Sequence, residues 1–514
     1  MKRLLLLTLA VLSLSACSHE AGIGRRFRAE RALWQANWEY RNLAIRPEDV
    51  PSTRWAALAE TYEAVAERYA PPSGMPPAEA TEERTLEIAA RSLFAAARVY
   101  EQLRDSSRVE ATYARMAERF AAVPAVAAEV ALAQARVAEG EGDWQRAAQH
   151  YQQVVDRVPP DPSGTGAAGV VLGLPLQIAR LYARSSPSAP PAAPYARARE
   201  YYIDFVGRED GADADSVMTV EPTIRLEALG YLAEIAVDLR DYPRALAALE
   251  RLEAELTSLA DPPREPCEVR FAIAGVQRIA AASVSAREAT LQSLLTDYPD
   301  CELAPQALMN LAESANQAGE VSAALGYLDR IVDDYGDDED AAAEALLARG
   351  RLLENRDRWA EALEAFRSVS ARYPITEAAL WAPIEIAKHY DRIGDGEATA
   401  TALARAERTY RDFVERYPPG PRSVFARERL IQALVLQEKH AEAVAEMERL
   451  GGELDGTRQG ASLRIAAARM AYADLADTAR AAGILARTGE AYADREIGAW
   501  ATDQARRMRG AMNP

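Results

Sequence analysis

One spacing recurs along this chain. A small residue is followed nine positions later by a larger one, three further on by a small one, and four beyond that by a bulky apolar side chain. A proline or glycine then closes the unit. The pattern is clearest between Ala341 and Pro374, where Gly350, Trp359, Ala362, Phe366 and Pro374 fill those places. The segment predicts two short helices joined by a polar turn. Antiparallel helices approach closely only where a side chain is small, which suits Gly350 and Ala362, while Leu353, Trp359 and Phe366 fill the space around that contact. Proline has no N–H to donate and cannot continue a helix, so it marks the boundary. The same order returns at Ala135, Trp144, Ala147, Tyr151 and Pro159, and at Ala312, Val321, Ala324, Leu328 and Gly336. It appears without the closing residue at Ala233, Tyr242, Ala245 and Leu249, and more loosely at Ile431, His440, Ala443 and Met447.

These offsets resemble the tetratricopeptide repeat, a helix–turn–helix unit of about 34 residues. The resemblance implies an all-α chain, a right-handed α-solenoid built from such pairs. Composition agrees: alanine, leucine, arginine and glutamate dominate, all good helix formers. The pairs Tyr298-Pro299, Tyr335-Gly336, Tyr373-Pro374 and Tyr417-Pro418 mark successive unit ends. They are similar to closures in periplasmic helical-repeat lipoproteins, including the lipoprotein of the β-barrel assembly machinery. The expected organisation is a signal peptide over 1–16, a tether and N-terminal helix over 17–50, degenerate repeats with proline-rich insertions over 51–220, regular repeats over 221–458, and capping helices over 459–514. Trp34 and Trp38 share one face of the N-terminal helix and are expected to dock on the first repeat or on a partner.

The first seventeen residues read MKRLLLLTLAVLSLSAC. A short basic region precedes an apolar stretch too short for an ordinary membrane span. Leu14-Ser15-Ala16-Cys17 resembles a bacterial lipobox. That resemblance implies cleavage before Cys17, a lipid on its sulfur and acylation of its new amine. Ser18 stands where an inner-membrane retention signal would carry aspartate, so the expected address is the outer membrane, facing the periplasm.

The net charge is −18. An acidic surface argues against nucleic acid as the main partner. Lysine is confined to Lys2, Lys388 and Lys439. Gly164, Gly166 and Gly169 match G-x-G-x-x-G in letters, but a dinucleotide site needs a strand before the glycines. Here a helix and several prolines precede them, so the segment reads as a loop. The acidic run 333–340 lacks the spacing of a calcium loop, and its carboxylates favour the positive end of the following helix. No catalytic constellation, cofactor motif or metal-ligand spacing is evident, so the chain reads as no enzyme. Cys267 and Cys301 lie near the starts of first helices one repeat apart. An oxidising compartment permits a disulfide between them, the alternative being two buried free thiols.

What remains is a surface. In tetratricopeptide arrays the first helices line a concave groove, which implies that residues flanking the small position by one turn face a partner. These are Gln306, Met309, Glu313 and Asn316, then Glu344, Leu347, Arg351 and Glu354, then Trp381, Ile384, Lys388 and Asp391. The expected function is a non-catalytic periplasmic scaffold, lipid-anchored in the outer membrane, holding envelope proteins or peptides in envelope biogenesis. Runner-up readings are an activator of a peptidoglycan synthase, and a cell-wall enzyme or solute-binding lipoprotein.

Overall fold

The structure is a computed structural model and describes residues 24–44, 50–69, 80–158, 171–186, 192–207, 221–493 and 495–512. All regular structure among these residues is α-helix. Cys17, the signal segment and the glycines at 164, 166 and 169 lie outside the described residues.

The chain divides into two compact units, Met1–Val276 and Gln277–Pro514. The first holds α1 (24–43), α2 (Ser52–Tyr69), α3 (Ala80–Gln102), α4 (Ser106–Arg119), α5 (Pro124–Gly140), α6 (Trp144–Arg157), α7 (Leu174–Ser185), α8 (Ala192–Val206), α9 (Pro222–Asp238) and α10 (Tyr242–Thr257). Helix α11 (Pro266–Ile279) runs across the division. The second holds α12 (Val284–Asp297), α13 (Ala304–Gln317), α14 (Val321–Asp334), α15 (Glu339–Glu354), α16 (Trp359–Arg372), α17 (Glu377–Arg392), α18 (Gly396–Arg416), α19 (Pro421–Leu436), α20 (His440–Glu453), α21 (Arg458–Ala473), α22 (Thr478–Ala491) and α23 (Glu496–Met512). Most consecutive helices pack against each other, and in the second unit the first helices α13, α15, α17 and α19 also lie side by side.

The repeated letters fall on repeated geometry. Trp144, Tyr242, Val321, Trp359 and His440 each open the second helix of a pair. Two residues earlier the backbone turns left-handed, at Gly142, Arg240, Gly319, Asp357 and Glu438. Glycine tolerates that conformation without penalty, yet it occupies only two of these five places. Asp143 and Asp241 then cap their helices by accepting from the N–H of Arg146 and Arg244. Tyr298, Tyr335, Tyr373 and Tyr417 end α12, α14, α16 and α18 as their C-cap residues.

Small residues meet large ones inside each pair. A Cβ at Gly350 would stand 2.5 Å from Phe366 Cε1, and Phe366 is fully buried. Ala135 and Ala312 are buried at the equivalent positions.

One first helix contains an interior proline, and side chains from the neighbouring second helices meet the carbonyls beside it. In α17, Pro383 offers no N–H to the Ala379 carbonyl, which instead accepts from Ser370 Oγ at 3.4 Å. One residue on, the buried Tyr410 hydroxyl donates to the Leu380 carbonyl at 2.8 Å.

Helix α1 buries Ala29, Ala36 and Leu43, whereas Trp34 and Trp38 are 62% and 57% exposed. Docking of the two tryptophans on the first repeat is therefore corrected: the alanine face is flatter and lets α1 lie closer to its neighbours. Among the described residues, no helix is long and apolar enough to cross a membrane.

Candidate functional site: a cation-ringed tryptophan on the first-helix face

Helices α15 and α17 are each packed by their own second helix and by first helices on either side. That widens the buried arc of each well beyond the single stripe of an ordinary amphipathic helix. Only a narrow strip stays open. On α15 it includes Glu344, Arg351 and, at the C-cap, Asn355; on α17 it includes Lys388 and the partly open Trp381 and Glu385.

Three of the expected groove residues are corrected on this ground. Leu347 and Ile384 are core residues, at 4% and 0% exposure. Glu354 is buried as well and ties α15 to α17. Its Oε1 lies 2.9 Å from His389 Nδ1 and accepts from Arg392 Nη2. His389 in turn stacks on Trp359, rings 3.4 Å apart and almost parallel at 5°. Gln306, Glu313, Glu344, Arg351, Lys388 and Asp391 are exposed, and Met309, Asn316 and Trp381 partly so. Asn316 accepts from Arg356 Nη2 at 3.1 Å, and Glu313 from Gln317 Nε2 at 3.1 Å.

Trp381 is the centre of what the structure brings together. Arg429 of α19 lies over its ring, Cζ 4.0 Å from the centroid. Lys388 Nζ stands 5.6 Å away and Arg351 Cζ 6.0 Å away. Phe425 of α19 meets Trp381 edge-on at 5.8 Å and 70°. Arg429 also stands 5.0 Å from the Phe425 centroid. The ring's negative face attracts each cation, by roughly 0.5–2 kcal/mol depending on desolvation.

Charge around the ring is lopsided. Glu385 accepts from Arg351 Nη2 at 2.7 Å. Neither Lys388 nor Arg429 has a carboxylate partner among the described residues. Arg429 Nε is buried without a hydrogen-bond partner, and so is Gln432 Oε1 one turn along α19. A chain of net charge −18 thus gathers three cations and one carboxylate around a pair of aromatic rings. Such a surface can hold an acidic or aromatic side chain and the amide groups beside it.

The sequence pattern reached Arg351, Trp381 and Lys388 but missed Glu385, Phe425 and Arg429. A usable signal was present. Trp381, Glu385 and Lys388 follow a helical step of four then three, and Phe425 and Arg429 repeat the first step in the next unit.

Elsewhere, Asp338 accepts from the Ala341 N–H and so caps α15, the role expected of the acidic run. Among the described residues, no group of three or more His, Cys, Asp and Glu residues is placed to hold a metal. Cys267 and Cys301 are buried, and each is disulfide-bonded.

Comparison with known proteins bears on the architecture. A family model described as tetratricopeptide repeat matches residues 129–160, 306–338 and 344–374. No curated protein matches the chain. Among solved structures, a tetratricopeptide repeat protein from Parabacteroides merdae is 18% identical, with 55% of this chain and 98% of that one covered and a TM-score of 0.29. The apo quorum sensor NprR from B. thuringiensis is 12% identical, with 71% and 98% covered and a TM-score of 0.32. Human IFIT1, solved as a dimer with m7Gppp-AAAA, is 12% identical, with 81% and 89% covered and a TM-score of 0.33. Scores this low transfer no ligand or activity to the present chain. Each matched segment begins inside one of the first helices α5, α13 and α15 and runs past the end of the following second helix. The chain is an all-α protein with tetratricopeptide repeats in both of its units.

Proposed function

We propose that this chain is a non-catalytic scaffold that captures protein segments on the first-helix face of its second unit. The observation that carries this reading is Trp381, flanked by Arg351, Lys388 and Arg429. Tryptophan and arginine dominate binding energy at protein interfaces, because each offers a large rigid surface with a polar edge. Tetratricopeptide repeats are in general protein-interaction elements without chemistry of their own.

The address belongs to the same proposal. Lipid on Cys17 would anchor the chain in the outer membrane facing the periplasm, and the captured segments would belong to envelope proteins. Sequence from Met1 to Ser18 supports that address, including its basic start, apolar stretch and small residues before Cys17.

A photocrosslinking residue placed at Glu344 or Lys388 tests capture in the native envelope. Defined protein adducts that vanish in a Trp381→Ala/Arg429→Ala variant support it. An adduct pattern unchanged by that variant sinks it, as does turnover of peptidoglycan by the purified chain.

A further inference from the structure

Across from its open strip, helix α17 borders a cavity. At about 100° per residue, Pro383, Ile386 and Tyr390 lie across the helix from Trp381, Glu385 and Lys388. This second face floors a cavity of about 660 Å³, walled by α16 and α18. Leu363, Phe366, Pro383 and Ile386 give it an apolar lining. The α18 wall carries Ala398 and Ala402, whose short side chains leave the space unfilled.

Two guanidiniums line the same cavity, Arg367 from α16 and Arg405 from α18. Both are exposed, and neither has an ion-pair or hydrogen-bond partner for its side chain among the described residues. The contrast with their neighbours is plain. Arg411, further along α18, reaches both Glu407 and Glu442, and Arg427 is held by Glu446 and Glu453. Asp395 and Glu397 also line the cavity, but at the start of α18. Asp395 is occupied there, accepting from the Ala398 N–H at 3.0 Å. Helix rise puts Glu397 roughly 12 Å along the axis from Arg405. The cavity therefore has an acidic end, an apolar floor and a cationic stretch with no internal counterion.

We infer that this cavity binds a small amphipathic carboxylate. Its hydrocarbon body lies on Leu363, Pro383 and Ile386, and its carboxylate sits between Arg367 and Arg405. The volume falls within the roughly 300–1,000 Å³ of small-molecule sites, and guanidinium is the side chain best matched to a carboxylate. The inference is independent of capture at Trp381, which lies on the other face of α17.

Dodecanoate, used below its micelle concentration, is a suitable probe for calorimetry on the full chain carrying Cys17→Ser. The expected result is saturable one-to-one binding, weakened at least tenfold by Arg367→Gln/Arg405→Gln and at least tenfold by Ala402→Phe, which fills the space. Dodecyltrimethylammonium should bind at least tenfold more weakly than dodecanoate. Equal binding of the two amphiphiles, affinity unchanged by either variant, or no saturable uptake of dodecanoate each overturns the inference. The variants change an exposed or half-exposed residue, and an unchanged thermal transition confirms that each is folded.

Discussion

The hydroxyl of Tyr410 is set against the backbone of a neighbouring helix, donating to the Leu380 carbonyl at 2.8 Å. Pro383 follows three residues later in the same helix. Tyr202 is set likewise in the first unit: it donates to the Leu172 carbonyl at 2.6 Å and takes the Leu176 N–H at 3.4 Å, beside Pro175. Both tyrosines are fully buried, and burial pushes both hydroxyls well above the usual tyrosine range. Tyr410→Phe removes the hydroxyl from the Leu380 carbonyl and should cost about 1–3 kcal/mol, measured by denaturant unfolding. The cost should shrink in a Pro383→Ala background, where the helix can close its own ladder. An equal cost in both backgrounds would show that the hydroxyl and the proline are uncoupled.

Gly350 gives a prediction of opposite sign to ordinary helix propensity. Glycine-to-alanine in a helix normally stabilises by about 0.5–1 kcal/mol. At Gly350 the new methyl would strike the buried Phe366 ring, and overpacking of this kind costs about 1–3 kcal/mol. Gly326→Ala in α14 is the control, since a Cβ there meets nothing within 4 Å. Thermal melts should therefore move down for Gly350→Ala and up for Gly326→Ala.

Glu407 links α18 to the turn before α20. Burial raises its carboxyl pKa, but hydrogen bonds from Lys439 and Gln437 and the charge of Arg411 outweigh that and hold it below the ordinary value. Lys439 Nζ stands 2.7 Å from Glu407 Oε2. A carboxyl lowered in the fold stabilises it above the ordinary value, and that share is lost as pH falls through the lowered one. Stability measured from pH 7 downward should thus fall less steeply in Glu407→Gln than in the parent over the acid limb. Parallel curves would refute the linkage.

Cys17→Ser should release the chain from membranes, because three acyl chains anchor durably where none does not. Fractionation of cells expressing the two forms reads this directly. Unchanged sedimentation with the envelope would remove the lipid anchor from the proposal.

Much of the fold was legible before any coordinates. Trp144, Tyr242, Val321, Trp359 and His440 begin their helices because the signals there are local: a polar turn and a small residue one helix earlier, joined at Trp144 and Tyr242 by a capping aspartate. The tyrosines before Pro299, Gly336, Pro374 and Pro418 end theirs for an equally local reason, since a helix does not run on into proline or a C-terminal glycine. The turns were less readable. Arg240, Asp357 and Glu438 hold left-handed backbone that their side chains do not advertise, and the packing of the two helices imposes it.

The candidate site divides along the same line. Helical spacing placed Arg351, Trp381 and Lys388 on one open strip, because neighbours along a helix are set by sequence distance. It also placed Leu347, Glu354 and Ile384 there, and packing put them inside. A side chain's burial in a stacked array depends on which helices lie on each flank, and those helices come from other units. The pairing of Tyr410 with the gap at Pro383, and of Arg429 with Trp381, likewise exists only once helices distant in sequence are side by side. Local chemistry thus determined where each helix starts and stops, while contacts between units decided which faces remained open to a partner.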